Sequence, residues 1–413
     1  MPGVTREDCR RLDLEDRLAP LRARFALNPD VIYLDGNSLG PPPKTVEDRL
    51  ARLIREEWAQ GLVRSWTQAH WIDAPRRVGA KIAPLIGAEA DEVIVADSTS
   101  ANIFKLLCAA AALNPDRRTL LSEAGSFPTD VYMMEGLARI SGGRLRRALA
   151  PRDGLLDRID DDTAVLLLTH IHYKTGEMWD MAATTRAARE KGARVIWDLS
   201  HSAGAMPLDI HASGADFAVG CGYKFLNGGP GAPAFLYCAE RHLSAVQPVL
   251  SGWMGHARPF DFTDDYRPAP GTGRFLCGTP PILSLAALEC GIDTFGDVDL
   301  RACRVKSMAL GQLFIKLAAP LEAQFGLRLA SPRDPSVRGA QVSFRHEHAY
   351  PICRALIDRG VIGDFRAPDI LRFGLAAPYT YFVDIFDAAA ALRAVLETRA
   401  WESEAYKTRS AVT

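Results

Sequence analysis

The sequence predicts an α/β protein, with a large domain whose mostly parallel sheet is flanked by helices and a smaller C-terminal α/β domain. Three observations carry this. At 413 residues the chain exceeds what one hydrophobic core comfortably serves. Short apolar, β-branched runs alternate with helical periodicity through its middle, and the texture changes after Gly296.

In chain order, apolar residues recur every three or four positions in TVEDRLARLIREEWAQ (45–60), APRRVGAKIAPLIG (74–87) and SANIFKLLCAAAAL (100–113), which predicts helices. Strands are expected at EVIVAD (92–97), TLLSEAG (119–125), AVLLLTHIH (164–172), ARVIWDLSH (193–201), DFAVGC (216–221) and APAFLYC (232–238). Apolar runs of this kind, separated by helices, fit strands buried on both faces of a parallel sheet. Beyond Gly296 a long helix (300–326) leads into shorter strands at 341–346 and 370–376 and a closing helix near 386–401. The expected division is an N-terminal segment 1–44 packing on the small domain and active site, a large domain 45–297 and a small domain 298–413.

Composition narrows the function classes. Lys and Arg total 49 against 50 Asp and Glu, so no global field recruits nucleic acid or an anionic membrane. The longest apolar run, 106–113, is too short to span a bilayer, and the charged N-terminus lacks a secretory segment, so a cytoplasmic protein is expected. Eight scattered cysteines form no C-x-x-C pair, which argues against zinc ribbons and thioredoxin-like sites.

In an open parallel sheet, ligands bind beyond the carboxyl ends of the strands. Asp198 and His201 stand where one buried run stops, and a buried carboxylate needs a cation or a donor. One strand onward, VGCGYKFLNGGPG (219–231) sets Lys224 between two aromatics and among five glycines, a tight turn rather than a solvated face. After EVIVAD, Ser98, Thr99 and Ser100 open a helix, where hydroxyls and free N–H groups either bind phosphate or simply cap the helix. Phe127, following another strand, is placed either to stack on a flat ring or to join the core. An acid for a pyridinium nitrogen, a lysine for an aldehyde, an aromatic for the ring face and a helix start for phosphate together match the requirements of pyridoxal 5'-phosphate. A rival grouping of His170, His172, His201 and Asp198 as metal ligands leaves Lys224 and its glycines unexplained, so no metal is expected.

With these residues in hand, the chain resembles the kynureninase family, bacterial type, within the class V group of the aspartate aminotransferase fold type I. YLDGNSLG (33–40), STSANIFK (98–105), FPTD (127–130), THIHYKTG (169–176), WDLSHSAGA (197–205), GCGYKFLNGGPG (220–231), SGWMGH (251–256), CGTPPI (277–282) and DRGVIGDFR with ILRFG (358–374) carry the likeness. The resemblance implies that Lys224 links covalently to the cofactor, Asp198 pairs with its ring nitrogen and Phe127 stacks on the ring. It further implies that Thr99, Ser100, Asp130, Thr169 and His201 complete the cofactor shell. Tyr223, Trp253 and Thr279 would hold the phosphate, the last two from the neighbouring subunit of a homodimer with shared active sites. Tyr223 would also be the general acid–base.

For the substrate, the resemblance implies that Arg372 grips the α-carboxylate, while Trp66, Met254 and Gly278 line the ring pocket. Two positions depart from the family pattern: His172 stands where asparagine is expected, and Met254 replaces an aromatic. The implied reaction is hydrolysis of L-kynurenine, and of its 3-hydroxy form, to anthranilate or 3-hydroxyanthranilate and L-alanine in tryptophan catabolism. The alternative is a cysteine desulfurase or selenocysteine lyase. That activity needs a mobile catalytic cysteine in the smaller domain, whereas the only cysteine there beyond Cys303 is Cys353, which falls in an apparent helix.

Overall fold

The computed structural model describes residues 4–406 and 408–409. The chain divides into two compact units, one of Val46–His170 and Trp179–Asp293, the other of Met1–Thr45, Ile171–Met178 and Thr294–Thr413.

The larger unit is built on a seven-stranded sheet in the spatial order Val93–Ala96, Ala234–Cys238, Phe217–Gly220, Arg194–Asp198, Thr163–Thr169, Thr119–Glu123 and Arg146–Ala150. The last five run parallel. Ala234–Cys238 is antiparallel to both of its neighbours, so Val93–Ala96 points the same way as the parallel five. Six strands therefore end at one edge, where ligands bind in open sheets. Thr163–Thr169 is buried at every position, as its unbroken apolar run requires for a strand covered on both faces.

Arg146–Ala150 is an edge strand with both arginines exposed, and it lacks the apolar run that marks the others. The helices Ala74–Ile86 and Thr99–Ala112 form where periodicity places them. The expected helix at 45–60 is α-helical over Val46–Arg52 and winds as a π-helix over Leu53–Gly61. Ile103, Leu106 and Leu107 of one helix pack with Leu167, Ile196 and Val219 of the sheet, all fully buried. Each such side chain contributes about 1.5–3 kcal/mol.

The smaller unit holds a four-stranded antiparallel sheet, in the order Asp364–Arg366, Ile370–Gly374, Gln341–Arg345 and Arg328–Leu329. The helices Leu300–Phe325 and Phe382–Glu397 share its apolar core, at whose centre Phe314, Phe344 and Phe373 meet edge-on. N-terminal residues belong to this unit. Ile32–Tyr33 pairs in parallel with Val361–Ile362, and the Asp13 carboxylate caps the helix Phe382–Glu397 by accepting from Phe382 N–H at 2.6 Å.

The units divide at 45/46 and 293/294, where the expected boundaries stand at 44/45 and 297/298, and a further segment changes sides. Residues 171–178 interrupt the larger unit's sequence yet join the smaller one. There Gly339 N–H donates to the Gly176 carbonyl at 2.7 Å and Met178 N–H to that of Val337 at 2.9 Å. Backbone pairing of this kind leaves no mark in side-chain periodicity.

Among the described residues no helix is long and apolar enough to cross a membrane. All eight cysteines are free thiols.

Candidate active site

Lys224 sits in the irregular turn after Phe217–Gly220 and is only 9% exposed. The turn closes through Gly228 N–H to the Gly222 carbonyl and Asn227 N–H to the Lys224 carbonyl, both 2.9 Å. It can do so because position 222 has no side chain: a Cβ there would stand 2.4 Å from the Pro233 carbonyl oxygen. The lysine Nζ lies 3.1 Å from His201 Nε2, 5.6 Å from the Phe127 ring centre and 5.7 Å from that of Tyr223.

Two buried carboxylates face the same region. Asp198 ends its strand, in register with Thr169 on one side and Val219 on the other. Its Oδ1 accepts from Ser200 N–H at 2.8 Å. Burial pushes this carboxyl above its ordinary range, and the charge of Lys224 works in the opposite direction. Asp130, on the first turn of Pro128–Ile140, accepts from the Thr169 hydroxyl at 3.0 Å through Oδ2. Burial, reinforced by the charge of Asp198, raises its pKa well above the usual value. Asp130 Oδ1 is buried without a hydrogen-bond partner.

The helix Thr99–Ala112 starts beside this group. Ser98 caps it by accepting from Ala101 N–H at 3.3 Å, so the capping role considered from sequence falls to Ser98. Ser100 donates to the Thr129 hydroxyl at 3.4 Å, whereas Thr99 Oγ1 is buried without a partner. A cleft of about 480 Å³ opens here, lined by Asp97, Ser98, Tyr223, Pro281 and the 230–233 segment. A lysine, an acid, an aromatic face and unpartnered buried oxygens (Thr99 Oγ1 and Asp130 Oδ1) are a donor set that fits a phosphorylated heteroaromatic aldehyde.

Other predicted residues lie on other segments of this unit. Trp253 is 42% exposed and packs edge-on against Phe260. Gly278 and Thr279 are exposed. Met254 is buried within the apolar core, and Trp66 packs edge-on against Trp71. Among the described residues no group of three or more His, Cys, Asp or Glu side chains could hold a metal ion.

Arg372 belongs to the smaller unit, on the strand Ile370–Gly374, and is 1% exposed. Its Nη1 donates to the Tyr173 carbonyl and its Nη2 to Ser38 Oγ, each at 2.8 Å. Asp364, its partner across the strands, takes Nε and Nη2. Burial works against ionisation of Asp364, but Arg372 and then Arg366 outweigh it and hold its pKa below the ordinary value. In this unit too, the ring Nδ1 of His172 accepts from Thr175 N–H at 3.3 Å, which fixes the 172–176 turn.

Sequence reasoning passed over Lys105 and Asp364. Lys105 is the single charge in the helix Thr99–Ala112, set just before its apolar run, and that is the signal that marks it. Asp364 has no local signal, because its partner is set by strand register.

This architecture, with a lysine and an acid at the carboxyl ends of adjacent strands and a second α/β unit, is that of the aspartate aminotransferase fold type I. The cysteine desulfurase CsdA of Escherichia coli shares it, with a TM-score of 0.76 over 92% of this chain and 99% of that one at 20% identity. The chain belongs to the kynureninase family. The model of the kynureninase C-terminal domain matches residues 303–392. The kynureninase of Deinococcus radiodurans is 52% identical over 96% of this chain and 98% of its own length. That of Burkholderia mallei is 49% identical over 99% of this chain and its own whole length.

Proposed function

We propose that this protein is a pyridoxal-phosphate-dependent hydrolase that cleaves the Cβ–Cγ bond of L-kynurenine, with water, to give anthranilate and L-alanine. The observation that carries the reading is end-to-end identity of about one half to kynureninases, in a chain whose buried Lys224 faces Phe127 and His201.

Bound pyridoxal phosphate supplies an electron sink for carbanions at Cα and then Cβ of the amino acid. Lys224 would hold the cofactor aldehyde, and its freed Nζ would take the Cα proton of the bound amino acid. The Asp198 carboxylate would accept a hydrogen bond from the ring N–H and so favour the protonated nitrogen. Phe127 covers one ring face. Asp130, Thr169 and His201 orient the ring substituents, and Thr99 and Ser100 meet the phosphate at the helix start, where unpaired N–H groups favour an anion. Tyr223 moves the proton of the water that adds to Cγ. Arg372 holds the α-carboxylate.

Trp253 and Thr279 reach the phosphate of a partner subunit in a homodimer, while Trp66, Met254 and Gly278 border the substrate ring. The same pocket takes 3-hydroxy-L-kynurenine. We place the protein in the cytoplasm, in tryptophan breakdown with a branch to NAD synthesis.

The test is to mix the cofactor-loaded protein with L-kynurenine and follow anthranilate fluorescence. Release of anthranilate is expected. Silence there, with sulfur release from cysteine, would favour a desulfurase.

A further inference from the structure

Lys105 is a buried cation that the chemistry above does not use. It lies on the second turn of Thr99–Ala112, is 3% exposed, and is the single charged residue of that helix. A buried ammonium persists only if its donors are matched. Two of its three are: Nζ pairs with the carboxylate of Asp97 and donates to the Phe275 carbonyl at 2.6 Å. Cys277 is its third neighbour.

Both contacts reach segments that matter for phosphate. Asp97 immediately precedes the Ser98 cap and the helix start at Thr99, and Phe275 leads into Gly278 and Thr279. Asp97 itself adopts a left-handed backbone, φ 45°, which costs a non-glycine residue free energy and persists only where surroundings fix it. With Ser98 and Tyr223, Asp97 also lines the 480 Å³ cleft. A bare carboxylate at the mouth of a phosphate site repels the dianion it should admit.

We propose that Lys105 is a positioning residue for the cofactor phosphate: it cancels the charge of Asp97 and ties the helix start to the 275–279 segment. This rests on the reading that the start of Thr99–Ala112 receives that phosphate. The lysine does not touch the phosphate itself. It acts by making Asp97 tolerable where it stands and by holding its backbone turn.

The test measures affinity rather than turnover. Apoprotein is titrated with pyridoxal phosphate, and binding is followed by the cofactor's absorbance for the wild type, Lys105→Met, Asp97→Asn and the double variant. Loss of the cation should weaken binding about tenfold or more, as expected for an uncompensated like charge at short range in a partly desolvated site. The double variant, with neither charge, should return to within about threefold of the wild type. Melting temperatures taken in parallel set a purely structural ion pair apart: there the loss and the rescue would appear in stability and leave the affinity of the folded protein unchanged.

Unchanged affinity in Lys105→Met, or a double variant as weak as the single, overturns the proposal. Should Lys105→Met fail to fold, Asp97→Asn decides alone: it should bind at least as tightly as the wild type, and a tenfold loss overturns the idea. Failure of the wild type to bind the cofactor would instead sink the functional reading beneath it.

Discussion

The guanidinium of Arg372 lies edge-on against the carboxylate of Asp364, with Nε 2.8 Å from Oδ1 and Nη2 on Oδ2. Ser38 and the Tyr173 carbonyl take two further N–H groups, so four of the five donors are committed within the smaller unit. Only one Nη1–H remains for a substrate carboxylate. Asp364 thus fixes which edge of the guanidinium is offered.

Replacing Arg372 by lysine keeps the charge but discards the planar fork, and one ammonium cannot meet Asp364, Ser38 and Tyr173 together. The expected outcome is a loss in kcat/KM for L-kynurenine of about 100-fold, carried mostly by KM. Steady-state anthranilate release measures it. An unchanged kcat/KM would show that this arginine does not hold the substrate.

Lys224 and His201 face each other at 3.1 Å, with the Phe127 ring nearby. Lys224→Ala removes both the covalent anchor and the base for the Cα proton, so turnover should fall below detection, a loss of at least about 10³-fold. Borohydride reduction followed by peptide mapping should place the pyridoxyl adduct on Lys224 in the wild type. An adduct on any other residue, or full activity in the variant, contradicts the assignment.

The features legible in sequence were those that local chemistry writes locally. Thr163–Thr169 had to be a strand buried on both faces because the run 164–168 offers no polar side to water. Lys224 stood out because it stands among glycines such as Gly222, where backbone crowding leaves no room for a side chain. Asp198 stood out as an acid ending an apolar run. What stayed hidden depends on partners distant in sequence. The antiparallel direction of Ala234–Cys238 leaves no mark in a five-residue apolar run, and the Arg146–Ala150 edge strand has no buried face to advertise it. Residues 171–178 join the smaller unit through main-chain bonds that any sequence can make. The Asp364 pairing follows from strand register, which neither residue encodes alone.

Stability should depend on pH through Asp35. Burial, and then the charge of Asp364, push its carboxyl up to about 7, while Arg372 and Arg366 act in the opposite direction. Its Oδ1 is buried without a hydrogen-bond partner. Tyr33, Tyr379 and Cys353 are the other titratable groups that feel its charge. A folded-state pKa above the ordinary value of about 3.9 means that the native state favours the neutral acid. No penalty exists below about pH 4, and stability is then lost progressively as pH rises through the folded-state value of about 7, above which the group is ionised in both states. Asp35→Asn should therefore melt higher than the wild type at pH 8, by roughly 2 °C or more, with the difference vanishing near pH 4. Thermal melts followed by circular dichroism at the two pH values check this, and equal melting temperatures at pH 8 would refute it.

Cys353 bears on the desulfurase alternative. A thiol that accepts sulfur must ionise and reach the substrate. Cys353 is 2% exposed on the helix Ala349–Ile357, its Sγ 3.6 Å from the Gly363 carbonyl, and burial pushes its pKa far above the ordinary thiol value. It is a small apolar filler of the smaller unit's core. Cys353→Ala should lower stability by about 1 kcal/mol through the cavity it leaves. Its kcat on L-kynurenine should stay within about twofold of the wild type, since a packing change away from the reacting atoms leaves the barrier alone. The assay is anthranilate release by the folded variant, with cysteine offered in parallel. Collapse of turnover in a variant that still melts cooperatively would return the thiol to the chemistry, and wild-type sulfur release from cysteine that disappears with Cys353 would make the desulfurase reading the better one.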